Sequence, residues 1–283
     1  MFAVISWGCS FVATKIALSE LTPVTIIIMR LIFAVVFLFV IALATKRDFS
    51  IDFKKHTSIL LLAIIAVFHL WIQVTGLKYT TAVNTGWIIG LAPVFMALLG
   101  YLFFREKLRI INIAGIVMAF FGLLLLIGKG DFSNIDLISN KGDVMVLASA
   151  FTWSVYSLVN KKITFSYPPL MTILYLFITM AVILIPFNLS REALYSVVNL
   201  SLMGWVAVLF LGLICSGVSY VFWAQALKDM DSARVGSFLY FEPFVTIFTA
   251  WLFLNEQITF VIVLSGVIIT TGVILVNKKL RSL

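Results

Sequence analysis

The sequence predicts an all-α integral membrane protein, with ten transmembrane helices built as two inverted five-helix repeats. Three observations predict it. Of the 283 residues, 63% are hydrophobic and 11% charged, against about 25% charged in a water-soluble domain; lipid must therefore be the solvent for most of the surface. Residues 77–107 and 227–257 align without a gap, with Lys78/Lys228, Gly86/Gly236, Pro93/Pro243, Phe103/Phe253 and Glu106/Glu256 each 150 positions apart. Finally, Lys and Arg alternate in number from one side of the apolar runs to the other.

A helix needs about 20 apolar residues to cross the hydrocarbon. Between charged or Pro-marked breaks the runs are 1–18, 23–44, 57–77, 82–103, 109–127, 143–161, 168–187, 201–226, 232–253 and 259–277. The first has no basic residues before it and no small-residue cleavage site, so it reads as a span and not as a leader. It begins abruptly, and a shortened first span is expected. Pro23 and Pro168 open the second and seventh runs. Trp7 and Lys15 are eight apart in the first run, as are Trp153 and Lys161 in the sixth. Gly122 in the fifth run matches Gly272 in the tenth, and the pairing of the third with the eighth is the weakest. The longest connection, Gly128 to Gly142, is rich in Gly, Asn, Ser and Asp and marks the seam. The expected units are a first repeat at 1–127, a loop at 128–142 and a second repeat at 143–283.

Orientation follows from the positive charge of the short loops. With the N-terminus inside, the cytoplasmic segments hold Lys46, Arg47, Lys54, Lys55, Arg105, Lys107, Arg109, Lys161, Lys162, Lys228, Arg234, Lys278, Lys279 and Arg281; the opposite side holds Lys78, Lys129, Lys141 and Arg191. That 14 to 4 bias puts both termini inside, and losing one span would scramble the alternation. Five spans per half is odd, so the halves are inverted, an arrangement common among secondary transporters. Glu106 then ends its span inside and Glu256 outside.

The net charge of +8 is scattered in short clusters between apolar runs. It reads as membrane topology and excludes nucleic-acid binding as a function. Cys9 and Cys215 are isolated in apolar runs, and His56 and His69 form no metal-site spacing with them. No metal or cofactor is implied.

The motifs W-G-x-S-F-V-A-x-K at Trp7 to Lys15, G-L-K-Y-T-T-A at Gly76 to Ala82, A-P-V-F at Ala92 to Phe95 and F-x-x-E at Phe103 to Glu106 stand in the first half, with Arg30 in the second run. E-P-F at Glu242 to Phe244 and F-x-x-E at Phe253 to Glu256 repeat the pattern in the second. Together they resemble the EamA domain of the drug/metabolite transporter superfamily, ten-span type. The resemblance implies a carrier of the bacterial inner membrane, often an exporter of amino acids or other small metabolites.

Polar groups deep in a span face a cavity or one another. Glu242, near the middle of the ninth run, is the only carboxylate deep in any span, and its partner in the first repeat is Ala92. It is a candidate for proton coupling or for holding a substrate amine; the alternative is a packed residue shaping the Pro243 bend. Pro93 and Pro243 each remove an N–H and weaken the preceding turn, as flex points or as static kinks. His69 and Gln73 share a face with Gly76, while Gln225 and Trp223 occupy the corresponding part of the eighth run. Ser10 and Thr14 continue the face of Trp7, and Trp153, Tyr156, Ser157 and Asn160 make a similar stripe. Asn84, Trp87 and Tyr240 complete the cavity candidates, with interfacial anchoring the alternative for Asn84 and Trp87. Lys15 and Arg30 are expected to snorkel toward the outer headgroups, with gating charges the alternative, Glu106 and Glu256 to pair with cations at span ends, and Gly115, Gly122, Gly266 and Gly272 to allow close helix packing, with a dimer contact the alternative.

The resulting reading is a secondary active transporter, working by alternating access and exporting a small metabolite. Its partners are that solute, the lipid bilayer and a proton as candidate coupling ion; monomer and homodimer both stay open. The alternatives are a membrane-embedded enzyme acting on a lipid or small molecule, and a non-transporting scaffold. No paired-carboxylate, metal or Ser/His constellation supports the enzyme.

Overall fold

Backbone that lies in hydrocarbon must bond to itself, and an apolar run does so most simply as a helix. A computed structural model describes residues 1–50, 53–104, 108–131, 140–164, 167–188, 190–230, 235–236 and 238–276, with the backbone alone at 53–56, 104 and 161–164. The helices are α1 (Phe2–Ala17), α2 (Pro23–Ala44), α3 (Phe53–Lys78), α4 (Ala82–Ile89), α5 (Ala92–Phe104), α6 (Ile110–Ile127), α7 (Lys141–Thr164), α8 (Pro169–Leu184), α9 (Arg191–Val198), α10 (Leu202–Leu209), α11 (Ser219–Asp229), α12 (Glu242–Leu254) and α13 (Phe260–Val276). Among the described residues there is no strand. Among the described residues seven helical stretches are long and apolar enough to cross a membrane, and Phe2–Ala17, Phe238–Leu254 and Phe260–Val276 are shorter apolar helices. Val36, Val40, Phe68, Trp71, Phe248 and Trp251 lie exposed on the outside, the apolar belt that lipid covers. Glu106, Arg105, Lys107, Arg234, Lys278, Lys279 and Arg281 lie outside the described residues, as do the side chains of His56, Lys161 and Lys162 and the middle of the 128–142 loop.

Three of the expected runs are interrupted within their length, and the one at 168–187 ends in a 3-10 turn, Ile185–Asn188. The run at 82–103 breaks at Gly90 and Leu91, between α4 and α5. The one at 232–253 passes through a 3-10 turn, Phe238–Phe241, before α12. Each break falls just before its proline, and Pro93 and Pro243 then sit in the first turn of a new helix, where a missing N–H costs nothing. The two breaks face each other. A Cβ on Gly90 would lie 3.1 Å from the Pro243 ring, and the Ser154 hydroxyl donates to the Ala92 carbonyl at 2.8 Å. The third exception lies between α10 and α11, where Phe210–Val218 winds as π-helix.

Helix starts follow local rules. Thr22, Thr81, Ser190 and Ser201 each accept a backbone N–H two or three residues into α2, α4, α9 and α10, the favoured N-cap chemistry. Glu20 accepts from the N–H and hydroxyl of Ser201 at 2.8 and 2.6 Å, which holds its carboxyl below the ordinary range and ties the α1–α2 corner to α10.

The packing comes in matched sets. α6 lies on α13, α2 on α8 and α4 on α12. α3 packs on α7 as α1 packs on the α10–α11 stretch, and α2 meets the π segment as α8 meets α3. Gly115 and Gly272 let α6 and α13 touch backbone to backbone, since a Cβ on Gly272 would stand 2.6 Å from the Ala119 nitrogen.

Lys15 and Arg30 depart from the snorkelling expected of them. Lys15 turns inward and donates to the carbonyls of Leu77, at 2.8 Å, and Thr80, capping the end of α3 whose last carbonyls have no helical partner. Arg30 is 4% exposed. Its helix face packs against the π segment, where Gly212 lies close to the Arg30 backbone, so the side chain has no route to the headgroups. Glu256 lies within electrostatic reach of Lys15, the kind of cation expected, and adds backbone partners. Its two oxygens accept from the N–H groups of Ala82 and Val83 at 2.8 and 2.9 Å. Glu256→Ala is expected to lower stability by about 1 kcal/mol, the worth of an N-cap; thermal unfolding in detergent checks this, and an unchanged midpoint would contradict it.

Candidate functional site

Where the two helix breaks meet α1, α2, α3, α7 and α11, a cavity of about 30 Å³ opens inside the bundle, lined among others by Trp7, Ser10, Arg30, His69, Gln73, Trp153, Tyr220 and Glu242. That is room for about two waters.

Glu242 reaches this cavity because it begins α12, directly after the 3-10 turn. It is 3% exposed. Among the described residues no side chain donates a hydrogen bond to its carboxylate, while its carbonyl accepts from Thr246 Oγ1 at 3.0 Å. Arg30 comes from α2, with its Nε donating to Ser216 Oγ at 2.9 Å. No ion pair joins Arg30 to Glu242, so a cation and a carboxylate line one cavity without touching. His69 is held by Ser149 of α7, its Nδ1 standing 3.0 Å from the Ser149 carbonyl. A carbonyl only accepts, which puts the proton on Nδ1 and leaves Nε2 as the acceptor. Gln73 follows one turn on.

The rest of the wall is aromatic. Trp7 stands edge-on to Trp153 with centroids 5.1 Å apart, and Trp153 stacks on Tyr156 at 5.1 Å. Trp223 and Tyr220 close on Trp7 at 5.3 and 5.5 Å, separations typical of favourable ring pairs. Trp7 Nε1 donates to the Cys215 carbonyl at 2.9 Å, which fixes the indole against the π segment. The Tyr156 and Trp223 polar atoms and the Ser157 hydroxyl are buried with no hydrogen-bond partner among the described residues.

Of the residues singled out from sequence, Ser10, His69, Gln73, Trp153 and Glu242 line the cavity together. Tyr156 and Ser157 lie behind Trp153 on the same helix, and Thr14 is buried one turn beyond Ser10. Four others lie elsewhere. Asn84 donates to Asp143 Oδ2 at 3.3 Å. Trp87 packs edge-on to Phe244, at 5.6 Å, and against Gly266. Gln225 Nε2 donates to Asp229 at 2.7 Å. The Tyr240 hydroxyl donates to the Val273 carbonyl at 3.2 Å. Pro93 and Pro243 are buried at the helix breaks. Arg30, Tyr220 and the π segment are the parts that sequence reasoning missed. Two signals were available: a lone Arg inside an apolar run marks a site by default, and Tyr220 and Trp223 share one helical face.

A bundle of apolar helices, broken at a pair of prolines around one charged and aromatic cavity, defines a multi-pass membrane protein of the carrier kind. The EamA-like transporter family model matches residues 1–128 and 140–278, and the chain belongs to that family. An uncharacterized transporter of Archaeoglobus fulgidus is 31% identical over 96% of this chain and 94% of its own. The uncharacterized transporter YoaV of Bacillus subtilis is 28% identical over 94% and 91%. A probable amino-acid metabolite efflux pump of Escherichia coli is 28% identical over 96% and 91%. One solved crystal structure, at 18% identity, superposes with a TM-score of 0.69 over 97% of this chain and 93% of that one, which establishes a shared fold. The family and these relatives make the chain a transporter of the drug/metabolite type, with a small-molecule solute and a lipid bilayer as its surroundings.

Proposed function

We propose that this transporter exports a small metabolite, an amino acid or a close relative, from the cytoplasm by alternating access around the Arg30–Glu242 cavity. The observation that carries the reading is the cavity itself: a guanidinium and a carboxyl group, unpaired with each other, buried in apolar helices. An amino acid presents matching charges, and the name of the Escherichia coli relative points to the same solute class. The cavity is too small for such a solute, so binding requires the helices around it to part.

The working unit is ten spans, the seven long helices and the three shorter ones, in two inverted repeats at 1–127 and 143–283. The 150-residue register and the matched packing support this, as do the paired breaks before Pro93 and Pro243. Those breaks are the flex points about which the repeats rock. Glu242 holds the solute amine and, once the solute has left, a proton; His69, Gln73, Ser10, Trp153, Tyr156 and Ser157 complete the pocket as it opens. The Lys and Arg bias supports both termini in the cytoplasm, and the resemblance to the family supports the inner membrane as location.

Reconstituted vesicles loaded with a panel of amino acids, nucleosides and drugs test this. Efflux of an amino acid, accelerated by an inward proton gradient, is expected. Flux indifferent to the gradient would remove the proton from the reading, and a product of altered mass would replace the carrier with an enzyme.

A further inference from the structure

Arg30 is a buried cation whose charge no described carboxylate answers. One of its five N–H groups is spent on Ser216 Oγ, leaving the four on Nη1 and Nη2. Taking a cation out of water costs several kcal/mol, offset only by a close anion. Glu242 lines the same cavity without pairing with it. With Nε spent, the open edge of the guanidinium is its outer end, where two parallel N–H groups match the two oxygens of a carboxylate. A doubly charged phosphate would exceed the one positive charge available and would meet the Glu242 carboxylate across the cavity.

The aim of this guanidinium depends on the π segment. Ser216 is 1% exposed and lies within Phe210–Val218, beside Cys215, whose carbonyl takes the Trp7 indole N–H. Winding with an extra residue per turn is commonly met at functional sites. Here it sets adjacent residues of one helix to bond to Trp7 on α1 and to Arg30 on α2. Gly212, one turn earlier, lets α2 come close enough for that bond.

We propose that Arg30 is the anion-binding residue of the cavity, aimed by Ser216 as its positioning residue, and that the transported solute must therefore carry a carboxylate. The proposal rests on the carrier reading above and narrows it: amines and uncharged drugs are excluded as preferred solutes.

The test uses the purified full chain in lipid nanodiscs, with affinity read from tryptophan fluorescence, since Trp7 and Trp153 line the cavity. The probes are neutral L-amino acids, each compared with its amide and its decarboxylated amine. In the parent protein the free acid is expected to bind about tenfold or more tightly than the amide, the scale of a charge-assisted bidentate contact. Arg30→Lys is expected to reduce that ratio to near one, because an ammonium cannot reproduce the planar fork. Ser216→Ala is expected to weaken the acid several-fold more than the amide, and Ser216→Thr, which keeps the hydroxyl, to restore the ratio. Equal affinity for acid and amide in the parent protein would overturn the proposal, as would binding of the amine alone or of no probe. A full ratio in Arg30→Lys would overturn it too; if that variant does not fold, an unchanged ratio in Ser216→Ala does so instead. Flux of acid and amide at equal rates would sink the proposal and leave transport standing, whereas selective binding without flux would sink transport alone.

Discussion

Replacing Glu242 with Gln is expected to abolish the response of efflux to a proton gradient. The sign follows from competition: an ammonium group and a proton both seek the same carboxylate, so wild-type affinity for an amine-bearing solute falls as the pH on the binding side falls. Gln offers a carbonyl of similar shape that neither takes up a proton nor carries charge. Site-to-site coupling in proteins is commonly about 5- to 150-fold, and gradient-driven export by Glu242→Gln is expected to drop by at least the lower figure. Its solute affinity should show no pH dependence over the range in which the wild type responds. Flux and affinity in vesicles at stepped internal pH measure both. A variant that keeps a wild-type pH profile would make Glu242 a structural residue shaping the Pro243 turn.

The second large effect is on stability. Gly272→Leu is expected to cost about 3 kcal/mol or more, at the upper end of overpacking penalties. The clash is with backbone, 2.6 Å from the Ala119 nitrogen and 2.7 Å from the Gly115 carbonyl oxygen, so no rotamer relieves it and α6 and α13 must separate. Lipid tails are as apolar as leucine, so this close packing, and not a hydrophobic drive, holds the pair together. Gly236→Ala is the control: among the described residues its new methyl group would meet only the Met96 sulfur, at 3.4 Å. Thermal unfolding in one detergent compares the two variants, and a stable Gly272→Leu would mean that α6 and α13 are not a fixed pair.

What was legible in the sequence is what obeys a period or a composition. Apolar length identified the helices, and the ungapped register made Pro93 and Pro243 equivalent; both sit in the first turn of a new helix. Gly115 and Gly272, two small residues in otherwise bulky runs, signalled the close crossing. Arg30 was not legible in the same way. A lone Arg reads identically whether it snorkels or turns inward, and the difference lies in Gly212 and Ser216, about 180 residues away. The π winding left no trace, because an extra residue in a turn does not change composition. Gln225 was legible in principle: Asp229 stands four residues on, the spacing for a hydrogen bond along one helix.

Everything depends on two halves of opposite orientation enclosing one cavity. Single cysteines at Leu108→Cys and Gln257→Cys, in a chain with Cys9 and Cys215 replaced, test that most directly with a membrane-impermeant maleimide on intact cells. Labelling at position 257 before permeabilisation and at 108 only after it is the predicted result. Labelling of both from the same side would contradict the account.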